Sequence, residues 1–159
     1  MAPRCSGVRE DLLCRSQLLE IAPGVVYRDA NVTVTAFLVK HGSWPQAFGY
    51  RFQTADRSIV ISGDTAPTEA IVRACNGCDV LLHEVYNAHN DGLTPQWKRY
   101  LSAFHTSSDE LAAIATKARP RLLVLYHQLF EGQPEQDLLE QLKKNYHGEL
   151  VSARDLEIY

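Results

Sequence analysis

The chain has 159 residues, 45% of them hydrophobic, and a formal net charge of -3. That is the size of one domain with enough apolar material for a core, which excludes disorder as the main state. The slight negative charge and the absence of a Lys/Arg run exclude broad electrostatic capture of nucleic acid and favour a small or locally steered substrate.

The opening residues, MAPRCSGVREDLLCRS, put charges where a secretory signal would need an unbroken apolar stretch. No later segment approaches membrane-spanning length, so the expected setting is the cytoplasm, with reduced cysteines and no membrane partner. QLLEI, GVVYRD and VTVTAFLV then read as strands, separated by turn signals at Pro23-Gly24 and Ala30-Asn31. FGYRFQT and SIVISG follow as a hairpin closed by the polar ADR. From there the pattern alternates. Helix PTEAIVRAC precedes strand DVLLHEV, and a polar loop leads to helices TPQWKRYLSAF and SDELAAIATKA. Strand RLLVLY, helix EQDLLEQLKKNY and a last strand LEIY complete the order. Antiparallel strands giving way to strand–helix units predict a single domain that is a layered α/β or α+β sandwich, with helices covering the sheet. Ser107 with Glu110 is a capping box, Thr94-Pro95 is an N-cap followed by proline, and Pro120 stops the helix that ends at Lys117 and Arg119.

Cys75 and Cys78 form a C-x-x-C pair, but Cys5 and Cys14 do not supply a matching second pair for a structural zinc. Cys75 also closes its helix, where the dipole raises a thiol pKa instead of lowering it. Small buried or loop thiols are the reading these cysteines support.

Four apolar strands end in metal-capable groups: His41, Asp64, the pair His83-Glu84, and His127. Strand ends in helix-covered sheets are where ligands gather, and mixed imidazole and carboxylate donors suit zinc, manganese or iron. Each group alone has a plainer explanation: a half-exposed histidine, or for Asp64 a turn or N-cap residue. Convergence of all four is what points to a metal site. A zincin motif is excluded, because His89 lies six positions after His83 and the segment reads as strand. His89 and His147 are expected at the surface.

In this order VTAFLVKHGSWPQAFGYRF, VISGDT, DVLLHEVY and FHTSSDELAAIATKARPRLLVLYH resemble the second half of a metallo-β-lactamase-fold hydrolase of the ribonuclease Z-like branch. The likeness runs over about residues 20 to 159. It implies half of an αββα sandwich and, in the complete fold, two divalent ions, zinc first and manganese or iron as alternatives. His41 is similar to a ligand of one metal, Asp64 to the carboxylate bridging both, and His127 to a ligand of the second. His105 resembles the histidine that protonates the leaving group, and His83 and Glu84 would orient the ligands.

The family's H-x-H-x-D-H motif is not in these 159 residues. Residues 1–159 therefore read as the C-terminal part of the domain: a truncated gene, a partial gene model or one piece of a split protein. A bound N-terminal half, or self-association in its place, is the expected partner. Between Tyr50 and Ile59 there is only a tight turn where tRNA-processing members carry a long insertion, so a small ester or phosphodiester substrate is favoured over tRNA. The competing readings are a 3'-tRNA processing relative and a catalytically inactive fragment or binding module.

Overall fold

A computed structural model describes residues 20–159. One seven-stranded sheet runs in chain order, from β1 (Gly24–Arg28) through β2 (Thr33–His41), β3 (Trp44–Gln53), β4 (Ser58–Ile61), β5 (Val80–Tyr86) and β6 (Leu122–Leu129) to β7 (Leu150–Ser152). The first three pairings are antiparallel and the last three parallel. Helices α1 (Glu69–Cys75), α2 (Pro95–Phe104), α3 (Ser108–Ala118) and α4 (Glu135–Asn145) lie in the connections. This is the expected α+β class, with a mixed sheet and covering helices.

The helices start and stop where their sequences dictate. Thr94 caps α2 by accepting from Trp97 N, with Pro95 next. Ser107 and Glu110 close a reciprocal capping box on α3, and Arg119 ends that helix in the left-handed conformation ahead of Pro120. Thr54 N donates to Arg57 O across the β3–β4 turn, so that connection is four residues long.

Strand alternation divides the sheet into two unlike faces. Val39, Val60, Leu81, Leu123 and Leu125 share one face, where they are buried with Ile71, Leu111, Ala115, Leu138 and Leu142 from α1, α3 and α4. Each fully buried leucine contributes about 1.5–3 kcal/mol to that layer. The opposite alternation is equally apolar: Phe48, Phe52, Ile59, Ile61, Leu82 and Leu122 sit on it, yet all six are only half-buried and Leu38 is exposed. Among the described residues no helix is packed across this second face. No described helix is long and apolar enough to cross a membrane.

Three expectations are corrected. Cys75 and Cys78 are buried as expected but paired in a disulfide, so they give no support to a reducing compartment. The cause is local: Asn76 and Gly77 both take positive φ after α1, a tight turn that brings the two Cα atoms within 4.7 Å. The last strand is Leu150–Ser152, not LEIY, whose residues 156–159 lie beyond β7 with Leu156 and Ile158 fully exposed. Leu150 and Val151 pair with Leu123 and Val124, which places the earlier apolar pair in the sheet and leaves the later one without a partner strand. Of QLLEI, residues 17–19 fall outside the described residues, and Glu20 and Ile21 are not in a strand.

Candidate metal centre

Two antiparallel steps, β2 to β3 and β3 to β4, restore the strand direction, so β2, β4, β5 and β6 point the same way. Their C-terminal ends meet at one edge of the sheet. His41 is the last residue of β2, Asp64 follows β4, and His83-Glu84 and His127 lie late in β5 and β6. His105 comes to the same edge by another route. It is the C-cap of α2, two residues before the N-cap of α3, and the bridge from Tyr86 to Ser107 ties that short connection to the end of β5.

Irregular backbone aims these side chains. The β5–β6 register shifts after His83, giving β6 one residue more than its partner between Leu125 and Gln128, and His127 in that bulge has φ 45°. A histidine held in the left-handed region beside a bulge is local strain of the kind that re-aims a functional group. Gln128 holds the distortion by donating to the carbonyls of Leu125 and Ala153 and to Ser152 Oγ. A second shift on β2–β3 falls between Val39 and His41. Gly63, with φ 63°, lets the loop before Asp64 cross close to Phe48: a Cβ there would stand 2.5 Å from the Phe48 carbonyl oxygen.

Glu84 ties the edge together. It is fully buried, and its Oε1 accepts from the backbone N–H of Thr65 at 3.1 Å and of Thr106 at 3.0 Å. Thr106 Oγ1 donates to Thr65 O at 2.6 Å, and Thr65 Oγ1 accepts from Lys40 N at 3.1 Å. The residues following Asp64 and His105 are thereby fastened to one carboxylate and to the end of β2. His105 Nδ1 lies 3.5 Å from the same Oε1, an ion-pair contact that leaves this buried nitrogen without a hydrogen bond. Burial pulls the His105 pKa down, but the Glu84 carboxylate beside it, and more weakly Asp64 and Glu131, outweigh it and hold it above the ordinary histidine value. Burial likewise raises Glu84, against the lowering by His105 and the two amides.

The donor atoms of Asp64, His105 and His127 all lie within 4.8 Å of one another, with His127 Nε2 3.5 Å from Asp64 Oδ2. One carboxylate and two imidazoles form a donor set that suits a divalent ion such as zinc, and no Lys or Arg belongs to the trio. His41 stands beside it. Its Nδ1 is 2.9 Å from the Phe104 carbonyl oxygen, and its ring is 5.5 Å from that of His105, centre to centre. The structure thus brings His105 into the trio and sets His41 next to it, whereas the sequence reading had grouped His41 with Asp64 and His127. His83 faces the helix-covered side: its Nδ1 is 2.6 Å from the Glu84 carbonyl oxygen, and burial depresses its pKa to about 4. His89 and His147 are exposed, His89 paired with Asp109 at 2.8 Å.

Sequence reasoning passed over Thr65 and Thr106, which carry the network. Their available signal was position, since each directly follows a singled-out residue, Asp64 or His105.

A domain model described as a beta-lactamase superfamily domain matches residues 4–128. Ribonuclease Z of Mycobacterium sp. (strain KMS) is 31% identical over 119 residues, which cover 74% of this chain and 42% of the relative. Ribonuclease Z of Bacillus subtilis (strain 168) is 27% identical over 158 residues, covering 68% and 49%. The chain spans about half the length of the curated relatives it matches. Among solved structures, the metallo-beta-lactamase fold protein YhfI from Bacillus subtilis superposes with a TM-score of 0.71 at 22% identity, over 89% of this chain and 54% of that one. Human tRNase Z, short form, gives 0.57 at 24% identity, over 84% and 44%. With a domain match over most of its length, the chain belongs to the beta-lactamase superfamily; it has the metallo-beta-lactamase fold of those structures and is similar to ribonuclease Z.

Proposed function

We propose that this chain is the half of a metal-dependent hydrolase that carries the leaving-group histidine and part of the ligand set, acting on small ester or phosphodiester substrates. The observation that carries this reading is the convergence of Asp64, His105 and His127 at the strand ends. In this reading Asp64, His127 and His41 would be the residues of this chain that hold the divalent ions. Zinc is the first choice, before manganese or iron. When bound, the ions supply Lewis acidity and an acidified water.

The chain's own residues do the remainder. His105 leans on Glu84 through Nδ1, which leaves Nε2 as the nitrogen for the pocket. A proton held there by the buried carboxylate is available to a departing alkoxide. Glu84, through the Thr65 and Thr106 amides, keeps the Asp64 loop and the His105 connection at a fixed separation. His83, bonded to the Glu84 carbonyl, steadies the strand beneath.

Completion of the site requires a second polypeptide half, and the half-buried apolar face of the sheet is the surface for it. A face of Phe, Ile and Leu left in water is unfavourable, and the relatives are about twice as long as this chain. Without that half, the same face drives association of this chain with itself. The four-residue β3–β4 turn offers no arm for a large nucleic acid, which supports a small substrate.

Metal analysis and turnover of an aryl phosphodiester, beside cleavage of precursor tRNA over a range of salt, test the proposal. With the second half supplied, bound divalent metal and diester turnover that depends little on salt are the expected result. Efficient tRNA cleavage with a steep salt slope would replace the small substrate by tRNA. Absence of metal and of both activities, after the second half is supplied, would leave a binding module.

A further inference from the structure

An aromatic row borders the metal centre, and the mechanism above does not use it. Helix α2 places Trp97, Tyr100 and Phe104 on one side at spacings of three and four. Their rings stack in series, Trp97 on Tyr100 at 4.9 Å and 12°, Tyr100 on Phe104 at 4.7 Å and 25°. Phe104 meets the His41 ring edge-on at 4.9 Å, and His41 in turn lies 6.3 Å from Trp44. The row is therefore continuous from Trp97 to Trp44. It bends around His105, whose ring is 6.1 Å from Tyr100 and 5.5 Å from His41.

Core packing does not account for it. Leu101 is the buried residue of α2, whereas Trp97, Tyr100 and Trp44 are 39%, 41% and 66% exposed. Yet the row is held in place at several points. Trp97 Nε1 donates to Glu131 Oε2 at 2.9 Å, and Gly42 N donates to Ala103 O at 2.9 Å. Gly42 is needed for this fit, because a Cβ there would stand 2.1 Å from the Phe104 ring. Aromatic surface that is fixed, solvent-accessible and continuous with a cluster of polar donor groups is the usual make-up of a ligand site.

We propose that this row is a binding wall for a planar aromatic group of the substrate, seated next to the ester or phosphate that the Asp64, His105 and His127 trio engages. The idea rests on the hydrolase reading for the position of the reacting bond, but its own evidence is the row. It assigns Trp44, Tyr100 and Trp97 as specificity-determining residues, with ring edges and the outer Trp97 face as the contact surface. An aryl ester and a nucleotide base offer the same ring chemistry.

Trp44 and Trp97 are the chain's two tryptophans, so intrinsic fluorescence reports the row directly. The purified chain is titrated with phenyl phosphate, adenosine 5'-monophosphate and methyl phosphate. The aromatic ligands should perturb the emission and bind about threefold to tenfold more tightly than methyl phosphate, the worth of one aromatic contact. Trp97→Ala and Tyr100→Ala should bring that ratio close to one while leaving methyl phosphate affinity unchanged. Trp97→Phe and Tyr100→Phe should preserve it, which separates loss of the wall from loss of fold. Tighter binding of the nucleotide than of phenyl phosphate identifies a base as the ring, and the reverse order identifies an aryl group. Equal affinity for phenyl and methyl phosphate, a ratio unmoved in both alanine variants, or no response to any ligand at millimolar concentration overturns the proposal. An aromatic preference in a protein that shows neither metal nor turnover after the second half is supplied would sink the hydrolase reading alone. Turnover with no such preference would sink the wall alone.

Discussion

The two ends of the parallel strands are built on opposite terms. At the N-terminal ends of β4, β5 and β6, polar groups have partners: Asp79 Oδ2 accepts from Ser58 N at 2.8 Å and from Ser58 Oγ at 3.2 Å, and Arg121 pairs with Asp79 Oδ1 at 3.2 Å. Asp79 and Arg121 also donate their N–H groups to the carbonyls of Ser58 and Cys78. At the C-terminal ends, His83 Nε2, Glu84 Oε2 and His105 Nδ1 are buried with no hydrogen-bond partner. Buried polar atoms cost stability when unpaired, so the satisfied end is arranged for folding, whereas at the unsatisfied end Glu84 and His105 keep such atoms beside the Asp64 and His127 donors and His83 keeps one on the helix-covered side. The difference is informative because both ends belong to the same three strands.

The largest contrast should come from removing donor atoms at the unsatisfied end. His127→Ala and Asp64→Ala should lose bound metal and with it activity. His105→Ala should keep its metal and slow turnover by about two to four powers of ten. Elemental analysis beside kinetics decides this, and equal metal loss in the His105 variant would make it a ligand instead of the proton donor.

Glu84→Ala comes next. It leaves the Thr65 and Thr106 amides buried without an acceptor, a cost of about 3–5 kcal/mol in urea unfolding. Glu84→Gln retains an acceptor oxygen and should lose less. If the two variants were equally destabilised, the amide contacts would not be what the carboxylate is for.

His83 sharpens the comparison through pH. Its folded pKa, about 4, lies below the ordinary 6.5, so the unfolded chain takes up a proton first as the pH falls. The His83 contribution to stability should then be steady above about pH 6.5 and decline by roughly 3 kcal/mol as the pH drops to about 4. His83→Leu should flatten that slope.

The smallest effect belongs to the satisfied end. The Asp79 carboxyl is held below its ordinary pKa, chiefly by the Ser58 amide, against a raising effect of burial and with help from the Ser58 hydroxyl and Arg121. A depressed carboxyl stabilises above its unfolded pKa and ceases to do so as the pH falls through the folded value. Asp79→Asn should therefore lower the neutral-pH melting temperature modestly, remove that acid-side loss, and leave metal content and aryl-ligand binding as they were. A fall in metal content would mean that the two ends are coupled through the strands.

Much of this molecule follows from short-range pattern. The Ser107–Glu110 box, Thr94-Pro95 and the alternation in VTVTAFLV act within a few residues, so sequence by itself determined α2, α3 and β2 and put His41, Asp64 and His127 at strand ends. LEIY shows the limit of that logic: its apolarity is as strand-like as that of LVS, but only the latter finds the β6 edge. The grouping of Asp64, His105 and His127, the role of Glu84 between two amides 41 residues apart, and the aromatic row were decided by tertiary structure. Those contacts join segments far apart in the chain, and their geometry depends on bulges, a left-handed histidine and the close approach of Gly42 and Gly63 to their neighbours. Local periodicity carries no information about distances across a sheet, because they are set by how all seven strands pair and twist together.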